Sequence, residues 1–108
     1  MPTTTIDADA DVCTLINTFT VPPEHQRGLI ELLERATEEV MRHRPGFVTA
    51  NIHAGLDGGH VVNYAQWESA EAFKAMLADP ACQEHMAAAR ELGTATPILC
   101  TVESVHHR

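Results

Sequence analysis

The chain has 108 residues, with 7 Lys+Arg against 15 Asp+Glu and a formal net charge of −8. That length supports one modest domain, burying roughly two thirds of its unfolded surface. The acidity excludes nucleic acid and anionic membrane surfaces as partners, because both need clustered cations; no apolar run reaches the roughly 18 residues of a membrane span.

Residues 1–11 are rich in Thr and Asp and lack the basic start of a secretory signal. They are expected to form a disordered tail ahead of a single domain over residues 12–108. A strand is predicted over 12–21, where Val, Ile, Thr and Phe predominate, with Leu15, Asn17 and Phe19 sharing one face. Pro22 and Pro23 stop it. A helix is predicted over 24–43, with Leu29, Leu33, Ala36 and Val40 at helical spacing and Glu31, Glu34, Arg35 and Glu38 on the wet side. Pro45 and Gly46 end it.

The second strand is read over 47–54, a turn over Leu56-Asp57-Gly58-Gly59, and the third strand over 60–68. Ser69 is positioned to cap a helix reaching about Ala78, with Glu71 favouring the helix dipole. Asp79-Pro80 interrupts it; a further helical stretch reaches about Leu92, and Gly93 closes it. The last strand is predicted over 98–105, after Pro97. The order β-α-β-β-α-β defines an α+β, ferredoxin-like fold with a four-stranded antiparallel sheet. Helices on one face leave the other bare, so a homodimer is expected, with the last strand and the His106-His107-Arg108 tail reaching the neighbour.

Cys13, Cys82 and Cys100 are odd in number and form no C-x-x-C, which fits buried thiols in a reducing cytoplasm rather than a disulfide framework. There is no glycine-rich dinucleotide fingerprint, P-loop, haem-attachment motif or His/Asp/Glu cluster with metal-ligand spacing, so no cofactor and no metal are expected. The chemistry-bearing segment is the third strand. Period two places Val61, Asn63, Ala65 and Trp67 on one face. An amide that must find partners, a small gap and the only tryptophan thus line up, an arrangement suited to a flat aromatic ligand bearing oxygen atoms. Read without such a ligand, Asn63 is an edge residue and Trp67 a core anchor.

The run Val61-Val62-Asn63-Tyr64-Ala65-Gln66-Trp67-Glu68-Ser69, followed by Ala72-Phe73, resembles the matching strand and helix start of the antibiotic biosynthesis monooxygenase family. The likeness is greatest to its cofactor-free, quinone-forming enzymes of aromatic polyketide pathways. It extends from Val12 to Val105, and Pro45-Gly46-Phe47 fits it too. The resemblance implies a dimeric α+β barrel that oxidises a polycyclic phenol or anthrone with O₂. It casts Asn63, Trp67 and His53 as catalytic and Phe73, Tyr64, Asn17 and His85 as substrate-binding. Imidazole titrates near neutrality, which suits His53 to accepting a proton. Two departures stand out: Phe73 replaces an expected aromatic hydroxyl, and a basic residue expected near His85-Met86 is not an arginine. The face of His53 is open. A two-residue turn at Asp57-Gly58 pairs Asn63 with Ile52 and sends His53 away; a three-residue turn including Gly59 pairs Asn63 with His53. Two other readings are a non-catalytic binding or accessory dimer, and a haem-degrading monooxygenase using Asn17, with Met76 and His85 in place of its usual residues.

Overall fold

A computed structural model describes residues 2–108. The strands are β1 Cys13–Thr20, β2 Phe47–Ala54, β3 His60–Trp67 and β4 Thr94–Cys100; the helices are α1 Gln26–Glu39, α2 Ala70–Leu77 and α3 Pro80–Leu92. All strand pairs are antiparallel, in the order β2-β3-β1-β4. This is the predicted ferredoxin-like arrangement.

Local chemistry sets the boundaries. Pro23 opens a 3-10 turn over Pro23–His25 before α1, and a second such turn over Met41–His43 follows the break at Val40. The predicted helix over 24–43 is therefore α1 with a tighter turn at each end. Ser69 caps α2 by accepting a hydrogen bond from the Ala72 N–H at 3.0 Å. Asp79 and Pro80 start a separate helix. The Asp79 carboxylate accepts from the N–H groups of Ala81 and Cys82, and the Arg44 guanidinium donates to it at 2.6 Å. Although partial burial works in the opposite direction, the Cys82 N–H and the Arg44 cation hold this carboxyl below its ordinary range.

Gly46 holds the β2 approach in place. Its φ is +85°, and an added Cβ would stand 2.4 Å from that of Ala72. Its carbonyl accepts from the Glu68 N–H at 2.7 Å, tying the start of β2 to the end of β3.

One predicted segment differs from what is observed. The last strand starts four residues earlier and ends five residues earlier than predicted, at Thr94–Cys100, with Pro97 inside it opposite Asn17. β4 is an edge strand paired only to β1, so a residue lacking an N–H costs no ladder bond on its open side. Residues 2–11 have no regular structure. The Thr4 hydroxyl donates to the Asn51 side chain, and the Thr5 carbonyl accepts from Gln66 Nε2 at 2.9 Å. This segment supplies polar partners on the sheet face opposite the helices, where Gln66 is buried.

The core consists of two clusters between sheet and helices. Leu15, Ala65, Trp67, Phe73, Met76 and Cys82 form one; Phe19, Val21, Leu29, Ile30, Val61 and Ala89 form the other. Buried Cys82 has its thiol pushed up by burial and by the neighbouring Asp79 charge, and all three cysteines are free thiols. Among the described residues, no helix is long and apolar enough to cross a membrane.

Candidate active site

A cavity of about 280 Å³ lies between the sheet and the helices. Ligand sites commonly begin near this size, about 300 Å³. Its floor is the inward face of β1 and β3. Leu15 pairs with Ala65, Asn17 with Asn63, and Phe19 with Val61. The small Ala65 side chain leaves space between Asn63 and Trp67, all three of which line the cavity. Trp67 is 2 % exposed and meets Phe47 edge-on at 5.4 Å and Phe73 at 6.1 Å between ring centroids. These contacts fix the indole plane at one end of the cavity.

A β-bulge brings Phe47 to that end. The β2–β3 register shifts between Phe47 and Thr49, so both Phe47 and Ala50 line the cavity although simple alternation would separate them. The helices supply much of the remaining wall, with Ala36 and Thr37 from α1, Met76 from α2, and His85, Met86 and Arg90 from α3, and β4 adds Ala95 and Pro97.

Asn17 and Asn63 are the polar centre of an otherwise apolar floor. They face each other across β1 and β3, and the Oδ1 atom of each is buried without a hydrogen-bond partner. A buried acceptor left unpaired costs about 1–3 kcal/mol. Two of them side by side at the wall of a cavity point to a ligand that carries hydroxyl donors. A half-turn of either amide exchanges the positions of its oxygen and its NH₂ group.

The sequence-predicted site residues divide between the two faces of the sheet. Asn17, Asn63, Trp67, Phe73 and His85 line the cavity. His53 and Tyr64 do not. Asn63 pairs with Ile52, which settles the turn register and sends His53, paired with Val62, to the opposite face. His53 is exposed there, its Nδ1 lying 2.9 Å from the Asn51 carbonyl oxygen. Tyr64 pairs with Ile16 and Asn51, and its hydroxyl accepts from Gln66 Nε2 at 3.2 Å. Strand alternation removes both from the candidate site, correcting the roles expected for them.

An arginine is also present after all. Arg90 lines the cavity one helical turn beyond Met86. Looking only near His85-Met86 misses it; following the i, i+4 row along the helix finds it. His85 and Arg90 are the titratable side chains of the lining, and it contains no carboxylate. Among the described residues, no group of three or more His, Cys, Asp or Glu side chains is arranged to hold a metal ion.

An amide pair and an aromatic cage, held between a ferredoxin-like sheet and its helices, define a small-molecule enzyme site on this fold. The profile of the antibiotic biosynthesis monooxygenase family matches residues 13–88, and the chain belongs to that family. The tetracenomycin-F1 monooxygenase of Streptomyces glaucescens is 48% identical over 98 residues, covering 91% of this chain and 88% of that protein. Among solved structures, the monooxygenase from the gene ActVA-Orf6 of Streptomyces coelicolor, bound to nanaomycin D, matches with a TM-score of 0.81. It is 34% identical, with 94% of this chain and 96% of that one covered. The cofactor-independent oxygenase SnoaB from Streptomyces nogalater matches with a TM-score of 0.76 at 31% identity, covering 89% and 97%. The chain is accordingly a monooxygenase.

Proposed function

We propose that the cavity binds a flat polycyclic phenol of the anthrone type and that the protein oxidises it to a quinone with O₂, without a cofactor, in aromatic polyketide biosynthesis. The observation that carries this reading is the pair of unpartnered amide oxygens on Asn17 and Asn63, set in an apolar cavity beside Trp67. Phenolic hydroxyls donate to such oxygens, and amide N–H groups donate to ring oxygens, so the pair reads both states of a phenol. The named activities of the relatives support the same chemistry.

In this reading the substrate's methylene carbon loses a proton, giving a carbanion delocalised into the ring oxygens. The carbanion passes one electron to O₂, and the resulting radical and superoxide combine into a C–O bond. Protonation gives a hydroperoxide. Loss of the second hydrogen of that carbon, with cleavage of the O–O bond, leaves the quinone carbonyl and one water. The protein orients the ring between Trp67 and Phe73, keeps bulk water out, and stabilises the ring oxyanion through Asn63, Asn17 and the Trp67 N–H. With His53 on the other face, His85 is the side chain of the lining suited to accept the first proton.

We place the working protein in the cytoplasm, where its free thiols persist, as a homodimer. Ile16 and Ile98 stand exposed on the sheet face away from the helices, at 37% and 56%. Pairing of two such faces would bury them, and light scattering in solution reads the outcome directly.

The test is oxygen uptake by metal-stripped protein given a dihydroxyanthrone. One O₂ consumed per quinone formed is expected, with a matching gain of quinone absorbance. Folded protein that consumes no O₂ with a panel of anthrones, or that needs added metal to do so, overturns the proposal.

A further inference from the structure

A second cavity, of about 240 Å³, lies where the approach to β2, the end of β3 and α2 meet. Exposed Pro45, Glu68 and Ala75 stand at its rim, and its one buried wall residue is Met76. Met76 also lines the active-site cavity, and among the described residues it alone lines both. On that side it packs in the same core cluster as Trp67 and Phe73. A single thioether side chain therefore separates a solvent-facing hollow from the aromatic part of the active site.

The chemistry of the hollow limits what it can take. The Arg44 guanidinium on its wall is engaged by Asp79, and Glu68 is exposed to water, so neither is free to hold an ion in a buried setting. The inner wall, Ala72 and Met76, is apolar. A small uncharged molecule fits such a place better than an anion or a hydrated cation.

The active-site cavity has a mouth of its own. The exposed residues of its lining are Leu77, Arg90 and Pro97, whereas Trp67, Phe73 and Met76 are buried. A flat ring that fills about 280 Å³ closes that mouth behind it, and close-packed protein around it leaves few gaps. The bound ring must still meet O₂. Methionine is unbranched, with three rotatable side-chain bonds, so it can swing aside where a β-branched side chain would be held.

We infer that the second cavity is the entry site for O₂, and that Met76 is the movable wall through which O₂ reaches the bound ring. This rests on the monooxygenase activity and on the reading that a flat ring fills the main cavity; it adds the route of the second substrate. The two substrates then enter by different doors, and O₂ does not compete with the ring for one mouth.

The test fills the second cavity from outside. Ala75 is exposed and lines that cavity but not the active-site cavity, so Ala75→Phe plugs the hollow without touching the substrate. Emission of Trp67, the only tryptophan, is quenched by O₂ under raised oxygen pressure and, separately, by acrylamide, which is too polar to pass an apolar wall. In ligand-free protein, where both doors are open, O₂ quenching is expected to fall to about half in Ala75→Phe, because a filled cavity passes little gas. Acrylamide quenching and thermal stability should stay at the parent values. Met76→Leu, similar in volume but branched and shorter, should lower O₂ quenching in the same selective way. Ala78→Phe, on the same helix end but lining neither cavity, is the control and should change nothing. In turnover, Ala75→Phe should raise KM for O₂ severalfold and leave KM for the anthrone unchanged. Parent-like O₂ quenching and KM for O₂ in Ala75→Phe overturn the inference. An equal fall in quenching by O₂ and acrylamide also overturns it, because that is general tightening rather than a closed gas route. So does a higher KM for the anthrone with KM for O₂ unchanged, which would make Met76 a wall of the substrate cavity alone. Quenching needs no turnover, so a failure of the anthrone reading and a failure of this inference register separately.

Discussion

Asn63→Leu should make the protein more stable and nearly inactive. Leucine has about the shape of asparagine and no polar atoms, and the wild-type Oδ1 is buried without a partner. Removing that unpaired acceptor recovers part of its 1–3 kcal/mol cost; about 1 kcal/mol is expected, because the amide's NH₂ group also loses its hydration. For a chain of 108 residues this raises Tm by about 4 °C. The same change removes a group placed to stabilise the ring oxyanion, and loss of one such donor lowers kcat by roughly 10²–10³-fold. Asn63→Ala serves as the control: it loses the same chemistry but enlarges the cavity, so no gain in stability is expected. Denaturation is measured at one protein concentration, because association shifts the midpoint, and turnover is followed by oxygen uptake. A leucine variant destabilised by 1 kcal/mol or more would show that the amide is satisfied in the free protein, and one retaining full turnover would remove Asn63 from the chemistry.

Four further outcomes follow from the same geometry. His53→Ala should leave turnover unchanged and His85→Gln should lower it at least tenfold, since only His85 lines the cavity; the reverse ranking in a steady-state assay would show that β2 reaches the site in another register. Ala65→Leu should fill the space between Asn63 and Trp67, abolishing binding of an anthraquinone probe while Trp67 remains packed, as monitored by fluorescence titration. Gly46→Ala should cost about 2 kcal/mol or more in urea denaturation, because it meets both a positive φ and the Ala72 side chain. The Asp79 carboxyl lies below its ordinary 3.8 in the folded state, so the stability it contributes is present above that value and lost as pH falls through the folded value. Wild type should therefore lose stability below about pH 4 more steeply than Asp79→Asn, and parallel pH–stability curves would refute the linkage.

Much of the fold was legible because its signals are local. Alternation in β3, the Ser69 cap, the Asp79-Pro80 helix start and the Pro-Gly break before β2 each act within a few residues. The face shared by Asn63, Ala65 and Trp67 follows from period two alone, and the resemblance to a monooxygenase family rested on that same run. Local pattern was misleading at Pro97, where proline suggested the strand should start later. The edge position of β4 makes that proline harmless, and edge position is a property of the whole sheet.

The candidate site required more. Which face His53 takes depends on a one-residue choice in the hairpin, and alternation turns that choice into opposite sides of the sheet. Phe47 reaches the cavity only through a bulge that depends on pairing with β3. Asn17 and Asn63 lie 46 residues apart in the chain and become neighbours only when β1 pairs with β3. Arg90 was visible as an arginine but not as a wall of the cavity, because helix periodicity defines a row of side chains and the packing of α3 on the sheet decides what that row faces. The sequence by itself determined the elements, their order and the shared face of Asn63 and Trp67, all of which depend on short-range sterics and periodicity. Only the tertiary structure decided strand register, the removal of His53 and Tyr64 from the site, and the meeting of two amides and a cation around one cavity, because these depend on pairings between distant segments that no local pattern encodes.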